Sequence, residues 1–234
     1  MDNQDTNRPR TPLPESQADQ DQLREIYLAG GVAARVRMGH LAEALDRPPA
    51  SVTAAIKRLH EGGYVDYQPY HGAQLTDSGA EAAVELVRHH RLIERFLVEI
   101  LGYEWDDVHE EADRLEHSFS EKLEYHIAEV LSNPTSDPHG DSIPSADLQA
   151  VTDESRALAG VDVGAWVQVV RVRDRDPEML GYLAEIGLVP GTRLVLVERL
   201  PFGGPLVVEY GGRTQPIGIP VAEAVFVTPL ASGA

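Results

Sequence analysis

The sequence predicts a mainly α-helical chain that ends in a small all-β domain. Apolar residues recur at helical spacing from about residue 21 to about residue 130. Beyond Leu158 the texture changes to short alternating segments separated by Gly and Pro. The switch from a period of 3.6 to a period of 2 is the signature of helices giving way to strands, and 234 residues suffice for two or three modest domains with separate cores.

Residues 1–18 are rich in Asp, Asn, Gln and Pro and are expected to be disordered. Structure is expected from near Asp21, where Leu23, Ile26 and Tyr27 share one helix face and Gly30 with Gly31 stops the helix. A second short helix, MGHLAEALDR, turns Leu41, Ala42 and Leu45 inward. After Pro48 and Pro49 a third follows, ASVTAAIKRLHEGG. On it Val52, Ala55, Ile56 and Leu59 fall in a stripe roughly 100° wide, leaving the opposite side free to read a partner. The segment YVDYQPYHGAQLT reads as a β-hairpin around Pro69 to Gly72. Two helices, a tight break and a hairpin make a winged helix-turn-helix over 19–76.

Thr76 is placed to cap a long helix running through AEAAVELVRHHRLIERFLVEILG. Its Leu92, Ile93, Phe96, Leu97, Ile100 and Leu101 make an apolar surface too broad for one contact, as expected if it also meets a second subunit. One further continuous helix is expected over DDVHEEADRLEHSFSEKLEYHIAEVL, completing a helical domain over 77–145. The stretch from Leu131 is dense in Pro, Ser, Asp and Gly and reads as loop, with a linker over 146–158. Over 159–232, GAWVQVVRVRD, TRLVLVERL, GPLVVEYGG and AVFVTPL, with the helical insert DPEMLGYLAEIG, suggest a small β-barrel.

With no cysteine, the chain has neither disulfides nor thiolate ligands, so any metal must be held by His, Asp, Glu or backbone oxygens, which favours harder ions. No apolar run approaches the roughly 18 residues of a membrane span, and the N-terminus has no apolar secretion segment, so a cytoplasmic protein without a membrane partner is expected. The net charge of -18 is unusual for a nucleic-acid binder. Its distribution is informative. From Ala33 to Leu75, Arg35, Arg37, Arg47, Lys57 and Arg58 oppose only Glu43, Asp46, Glu61 and Asp66, whereas the acidic residues concentrate between Trp105 and Glu154. That acidic block is either a solvated surface or a reservoir for cations.

His109, Asp113, Glu116 and His117 follow at spacings that, on a continuous helix, put all four on one face. His90 and Glu94 form an i, i+4 pair on the preceding helix. Any one of these residues is unremarkable on a solvated helix, but the set supplies the imidazoles and carboxylates that an oxygen and nitrogen metal site requires.

The run VRHHRLIERFLVEILGYEWDDVHEEADRLEHSFS, with the later DPHGDSIP, resembles the diphtheria-toxin-repressor and manganese-transport-regulator family of metal-dependent transcriptional regulators. The C-terminal segment, with LGYLAEIGLVPGT and PFGGPLVVEYGG, resembles the SH3-like domain that many members carry. The resemblance implies a primary metal site of Asp21, Asp113, Glu116 and His117. It also implies an ancillary site of His90, Glu94 and His109, completed from the SH3-like domain by Asp176 and Glu178.

Replacing the softer ligands of the iron-responsive members with two Asp leaves a hard-oxygen site that favours Mn(2+), with Fe(2+) as the other candidate. Arg24 stands where manganese-responsive members have another carboxylate, which points to one primary ion and a separate ancillary ion. The implied function is repression of manganese and iron homeostasis genes by a homodimer on a pseudo-palindromic double-stranded operator. Asp21 belongs to the DNA-binding domain, so metal binding is expected to order that domain and set the spacing of the two recognition helices. Arg47, Ser51, Thr53, Ala54, Lys57 and Arg58 are the candidate DNA contacts, the basic ones for phosphate and Ala54 for a thymine methyl. The alternatives are a winged-helix regulator that senses another ligand without metal, and a metal-dependent enzyme, for which the paired Glu-x-x-His of di-iron bundles does not occur.

Overall fold

A computed structural model describes residues 10–149, 154–173 and 176–230. These divide into two compact units, one of residues 10–90, 114–125 and 143–149, the other of 91–113, 126–142, 154–173 and 176–230. Among the described residues no helix is long and apolar enough to cross a membrane.

The first unit opens with α1 (Gln17–Leu28), α2 (Met38–Ala44) and α3 (Pro49–Glu61), followed by the hairpin of β1 (Val65–Gln68) and β2 (Gly72–Leu75). The expected stripe of α3 is its core face: Val52, Ala55, Ile56 and Leu59 are buried, packed with Leu23 and Ile26 of α1 and Leu41 of α2. Val36 adds a bridge to Ala73, so the wing has a third edge that periodicity did not announce. Gly72 sits at φ +105°, where a Cβ would lie 2.2 Å from the Val36 carbonyl oxygen, so the side of the wing facing that bridge admits no side chain. Thr76 caps α4 (Asp77–Leu101), its Oγ1 accepting the Gly79 N–H at 3.0 Å.

Two expectations are corrected here. Residues 1–9 lie outside the described residues, but those from Arg10 to 18 are held in place and α1 begins at Gln17 rather than near Asp21. Thr11 Oγ1 donates to Glu81, the Tyr64 hydroxyl donates to the Pro12 carbonyl, and Leu13 joins the core. The polar composition that suggests disorder conceals these long-range anchors. The helix expected to run unbroken past His117 is instead α5 (Val108–Leu115), a 3-10 turn (Glu116–Ser118) and α6 (Glu121–Val130). Ser120 ends the break, its Oγ accepting the Leu123 N–H. The wheel argument therefore holds for His109 and Asp113 but does not extend to Glu116 and His117.

The second unit contains a six-stranded antiparallel sheet in the order β3-β8-β4-β5-β6-β7, formed by β3 (Arg156–Ala157), β4 (Trp166–Val172), β5 (Arg193–Arg199), β6 (Leu206–Tyr210), β7 (Arg213–Ile217) and β8 (Val225–Pro229). Inward Val167, Val169, Leu194, Leu196, Leu206 and Val208 alternate with outward residues and pack with α7 (Pro177–Ile186). A short α8 (Ile219–Ala224) leads into β8. The turn at 137–141 is fastened to β4: Val172 N–H donates to the His139 carbonyl at 2.9 Å.

Candidate metal centre and DNA-reading helix

In the first unit, Asp21 of α1 and Glu116 and His117 of the 3-10 turn bring ligand atoms within 4.8 Å of one another. His117 is oriented by a residue that the sequence did not single out. Gln20 Nε2 donates to the Pro14 carbonyl at 2.6 Å, which turns Gln20 Oε1 toward His117 Nδ1 at 2.8 Å. Nδ1 then carries a ring proton, and Nε2 is the ring atom that faces the carboxylate, 3.2 Å from Asp21 Oδ1. Glu116 is buried, and its Oε1 has no hydrogen-bond partner. Two carboxylate groups and an imidazole nitrogen form a donor set that fits a hard divalent ion.

Cationic side chains surround the cluster. Arg24 donates to Glu116 Oε2, and the same guanidinium nitrogen lies 2.6 Å from His90 Nδ1, which is itself 2.7 Å from that carboxylate oxygen. Arg47, just before α3, donates to Asp21 Oδ2 at 2.7 Å. Burial pushes the Asp21 carboxyl above the ordinary range, against the opposing pull of His117, Arg47 and Arg24. His90 is thus brought to Glu116.

In the second unit Glu94 is buried, with Oε1 3.0 Å from His109 Nδ1, and Asp113 Oδ2 stands 3.9 Å from His109 Nε2. Asp176 and Glu178 are exposed at the start of α7, where Asp176 caps the helix by accepting the Met179 N–H.

Another cluster in the first unit is structural. Glu85, His89 and Glu124 lie together, but Arg10 and Arg88 fill the space that an ion would need: Arg10 Nη1 reaches Glu124 at 2.6 Å and Glu85 at 3.1 Å, and Arg88 donates to Glu124 and to the Pro144 carbonyl. Burial alone would raise the Glu124 carboxyl, but hydrogen bonds from His89, Arg10 and Arg88 outweigh it and hold it well below the usual range. Glu85 goes the other way: burial pushes it up despite Arg10.

On α3, Ser51, Ala54, Lys57 and Arg58 are exposed. Thr53 Oγ1 donates back to the Pro49 carbonyl at 2.8 Å, and Arg58 is paired with Asp19 through two hydrogen bonds. Lys57 thus extends into solvent, whereas Arg47 and Arg58 each engage a carboxylate of α1.

Comparison with known proteins places this geometry in a family. Residues 16–73 match the N-terminal DNA binding domain of iron dependent repressors, residues 76–145 their metal binding and dimerisation domain, and residues 156–229 the FeoA domain. The iron-dependent repressor IdeR of Mycobacterium leprae is 33% identical over 218 residues, covering 88% of this chain and 94% of that protein. The chain belongs to the diphtheria toxin repressor and manganese transport regulator family. A solved structure of a manganese-dependent transcriptional repressor in complex with manganese superimposes with a TM-score of 0.84 at 40% identity, covering 91% of this chain and 100% of that one. The manganese regulator SloR does so with a TM-score of 0.76 at 29% identity, covering 91% and 98%. This member of the family therefore has an N-terminal winged helix-turn-helix, a helical dimerisation domain and a C-terminal SH3-like sheet. Its relatives are metal-dependent transcriptional repressors, which sets the enzyme alternative aside.

Proposed function

We propose that the chain represses manganese and iron homeostasis genes in the cytoplasm as a homodimer. In this reading it binds a pseudo-palindromic operator when Mn(2+) is held by Asp21, Glu116 and His117, with Asp113 carried over from the resemblance as the fourth ligand. The observation that carries this is the convergence of His117 Nε2 and the Asp21 carboxylate, 3.2 Å apart, beside a buried Glu116 oxygen that accepts no hydrogen bond. When bound, the ion supplies the positive charge that lets these acceptors share one site.

The protein's own residues do the rest. Asp21 anchors the middle of α1, Glu116 and His117 anchor the turn after α5, and Gln20 fixes the His117 ring. Because Asp21 also accepts from Arg47, the cluster is joined by one carboxylate to the flank of the helix that faces DNA. Ser51, Ala54 and Lys57 offer the exposed contacts on that helix, with Thr53, Arg47 and Arg58 beside them. Half-exposed Leu123 and Tyr125 on α6 in one unit, and Ile100 and Leu101 at the end of α4 in the other, are apolar surface of the kind that a homodimer covers. The manganese-dependent relatives and the absence of thiolate ligands favour Mn(2+) over Fe(2+).

The test is retention of operator fragments from upstream of metal-transport genes at fixed salt, with chelator, Mn(2+), Fe(2+) or Zn(2+). Metal-dependent retention that is lost in Asp21→Asn is the expected result. Retention indifferent to metal would favour the metal-independent regulator instead.

A further inference from the structure

Two carboxylates of α1 each hold an arginine beside the DNA-reading helix, and only one of the two belongs to the metal cluster. Asp21 Oδ2 accepts from Arg47 Nη2 at 2.7 Å, while its Oδ1 lies 3.2 Å from His117 Nε2. Asp19, buried two residues earlier, accepts two hydrogen bonds from Arg58, through Nη2 and through Nε at 3.1 Å. The two pairs meet α3 at opposite ends. Arg47 stands just ahead of Pro48 at its entrance, and Arg58 lies in its last turn. Asp19 is not among the residues that converge on His117.

Arg47 has a fixed root and a movable head. Its N–H donates to the Ala42 carbonyl at 3.0 Å, and Pro48 restricts the backbone on its other side. The side chain is 38% exposed, so the guanidinium can change partner by rotating into solvent while α3 stays where it is. The partner on offer there is phosphate. A chain of net charge -18 has few cations to give to DNA, and an arginine held by a carboxylate of its own chain is one phosphate contact fewer.

We propose that Arg47 couples the metal cluster to DNA by exchanging partners: it pairs with Asp21 until that carboxylate shares its charge with a divalent cation, and then turns to a backbone phosphate. This rests on Asp21 being a metal ligand, as proposed above. The sign follows from charge. A cation beside Asp21 Oδ1 and His117 Nε2 draws on the negative charge that holds Arg47 and repels the guanidinium itself. Coupling between two sites is reciprocal. Arg47 therefore lowers the affinity of the DNA-free protein for the ion, and DNA raises that affinity by drawing Arg47 away. Arg58 is the internal control, since Asp19 holds it in the same manner outside the cluster.

The experiment measures Mn(2+) affinity of the full-length chain by competition with a chelating dye, first without DNA, for wild type, Arg47→Gln, Arg47→Lys, Arg58→Gln and Asp21→Asn. Arg47→Gln should bind Mn(2+) about fivefold tighter than wild type, at the low end for coupled sites because solvent partly screens the pair. Arg47→Lys, which keeps the charge, and Arg58→Gln should match wild type. A residue that only contacts phosphate would leave this DNA-free affinity unmoved, and one that only orients Asp21 would weaken binding when removed. Repeated with an operator fragment, the gain in Mn(2+) affinity on adding DNA should be smaller in Arg47→Gln than in wild type. The slope of log operator affinity against log salt should also be lower by about one. Mn(2+) affinity in Arg47→Gln equal to or weaker than wild type, or the same tightening in Arg58→Gln, overturns the exchange while leaving the metal site standing. Wild-type affinity in Asp21→Asn overturns both. Arg47→Met repeats the measurement should the glutamine variant fail to fold.

Discussion

Replacing Arg24 with Gln isolates the contest between a guanidinium and a metal ion for one carboxylate. Arg24 donates to Glu116 Oε2 in a place where Glu116 is only 2% exposed, so the pair is poorly screened by solvent. A hydrogen bond to a charged group of this kind is worth about 1.5–3 kcal/mol. An ion that takes Glu116 works against that bond. Its removal should tighten Mn(2+) binding by roughly 10- to 100-fold, at about 1.4 kcal/mol per decade. The same substitution leaves a buried carboxylate without its guanidinium, so the metal-free protein should melt lower and the added stabilisation by Mn(2+) should be larger than in wild type. Competition against a chelating dye gives the affinity, and thermal melts with and without metal give the stability. Affinity equal to or weaker than wild type, with an unchanged metal-free midpoint, would refute the reasoning.

Arg88→Ala should cost about 1.5–3 kcal/mol of stability, since it removes a charged hydrogen bond from the buried Glu124 carboxylate and leaves Arg10 as its one guanidinium; denaturant melts of the two chains decide this. The same carboxylate sets an acid limit. With its folded pKa held below the ordinary 4.5, Glu124 contributes stability that is present above about pH 4.5 and is lost as pH falls below it, whereas the raised Glu85 titrates first and in the opposite sense. Wild type should therefore lose more stability on acidification below that pH than Glu124→Gln, as followed by circular dichroism. Gly140→Ala should destabilise by at least about 2 kcal/mol, because it combines a left-handed φ with overlap on the Val170 carbonyl; a melting midpoint equal to wild type would contradict that contact. Lys57→Ala should weaken operator binding at all sequences and lower the slope of log affinity against log salt by about one, measured by fluorescence anisotropy across a salt series.

Periodicity made the DNA-reading half of the molecule legible, since a stripe such as Val52, Ala55, Ile56 and Leu59 has one way to be buried, and Thr76 announced the start of α4. The candidate ligands were legible because charged and imidazole side chains at short spacing are chemically conspicuous. What escaped was of two kinds. Gln20 has no charge and matters only through the ring it orients, and Arg10 meets Glu85 and Glu124 from 75 and 114 residues away, beyond any local pattern. The break before α6 did leave a trace, in the serines flanking Phe119. Helical spacing on either side of them hid it, and Glu116 and His117 owe their position to that break.

The N-terminal strap bears on how the protein is handled. A chain shortened to begin at α1 would look like a tidy domain, yet it would lack Arg10 and leave Glu85 and Glu124 with Arg88 as the nearest guanidinium. Such a fragment would start from a weakened helical scaffold, and any ion that tightened it would seem to do more than it does in the intact molecule. Metal responsiveness measured on trimmed protein would therefore be overstated, by an amount that restoring a few residues ahead of the first helix should remove.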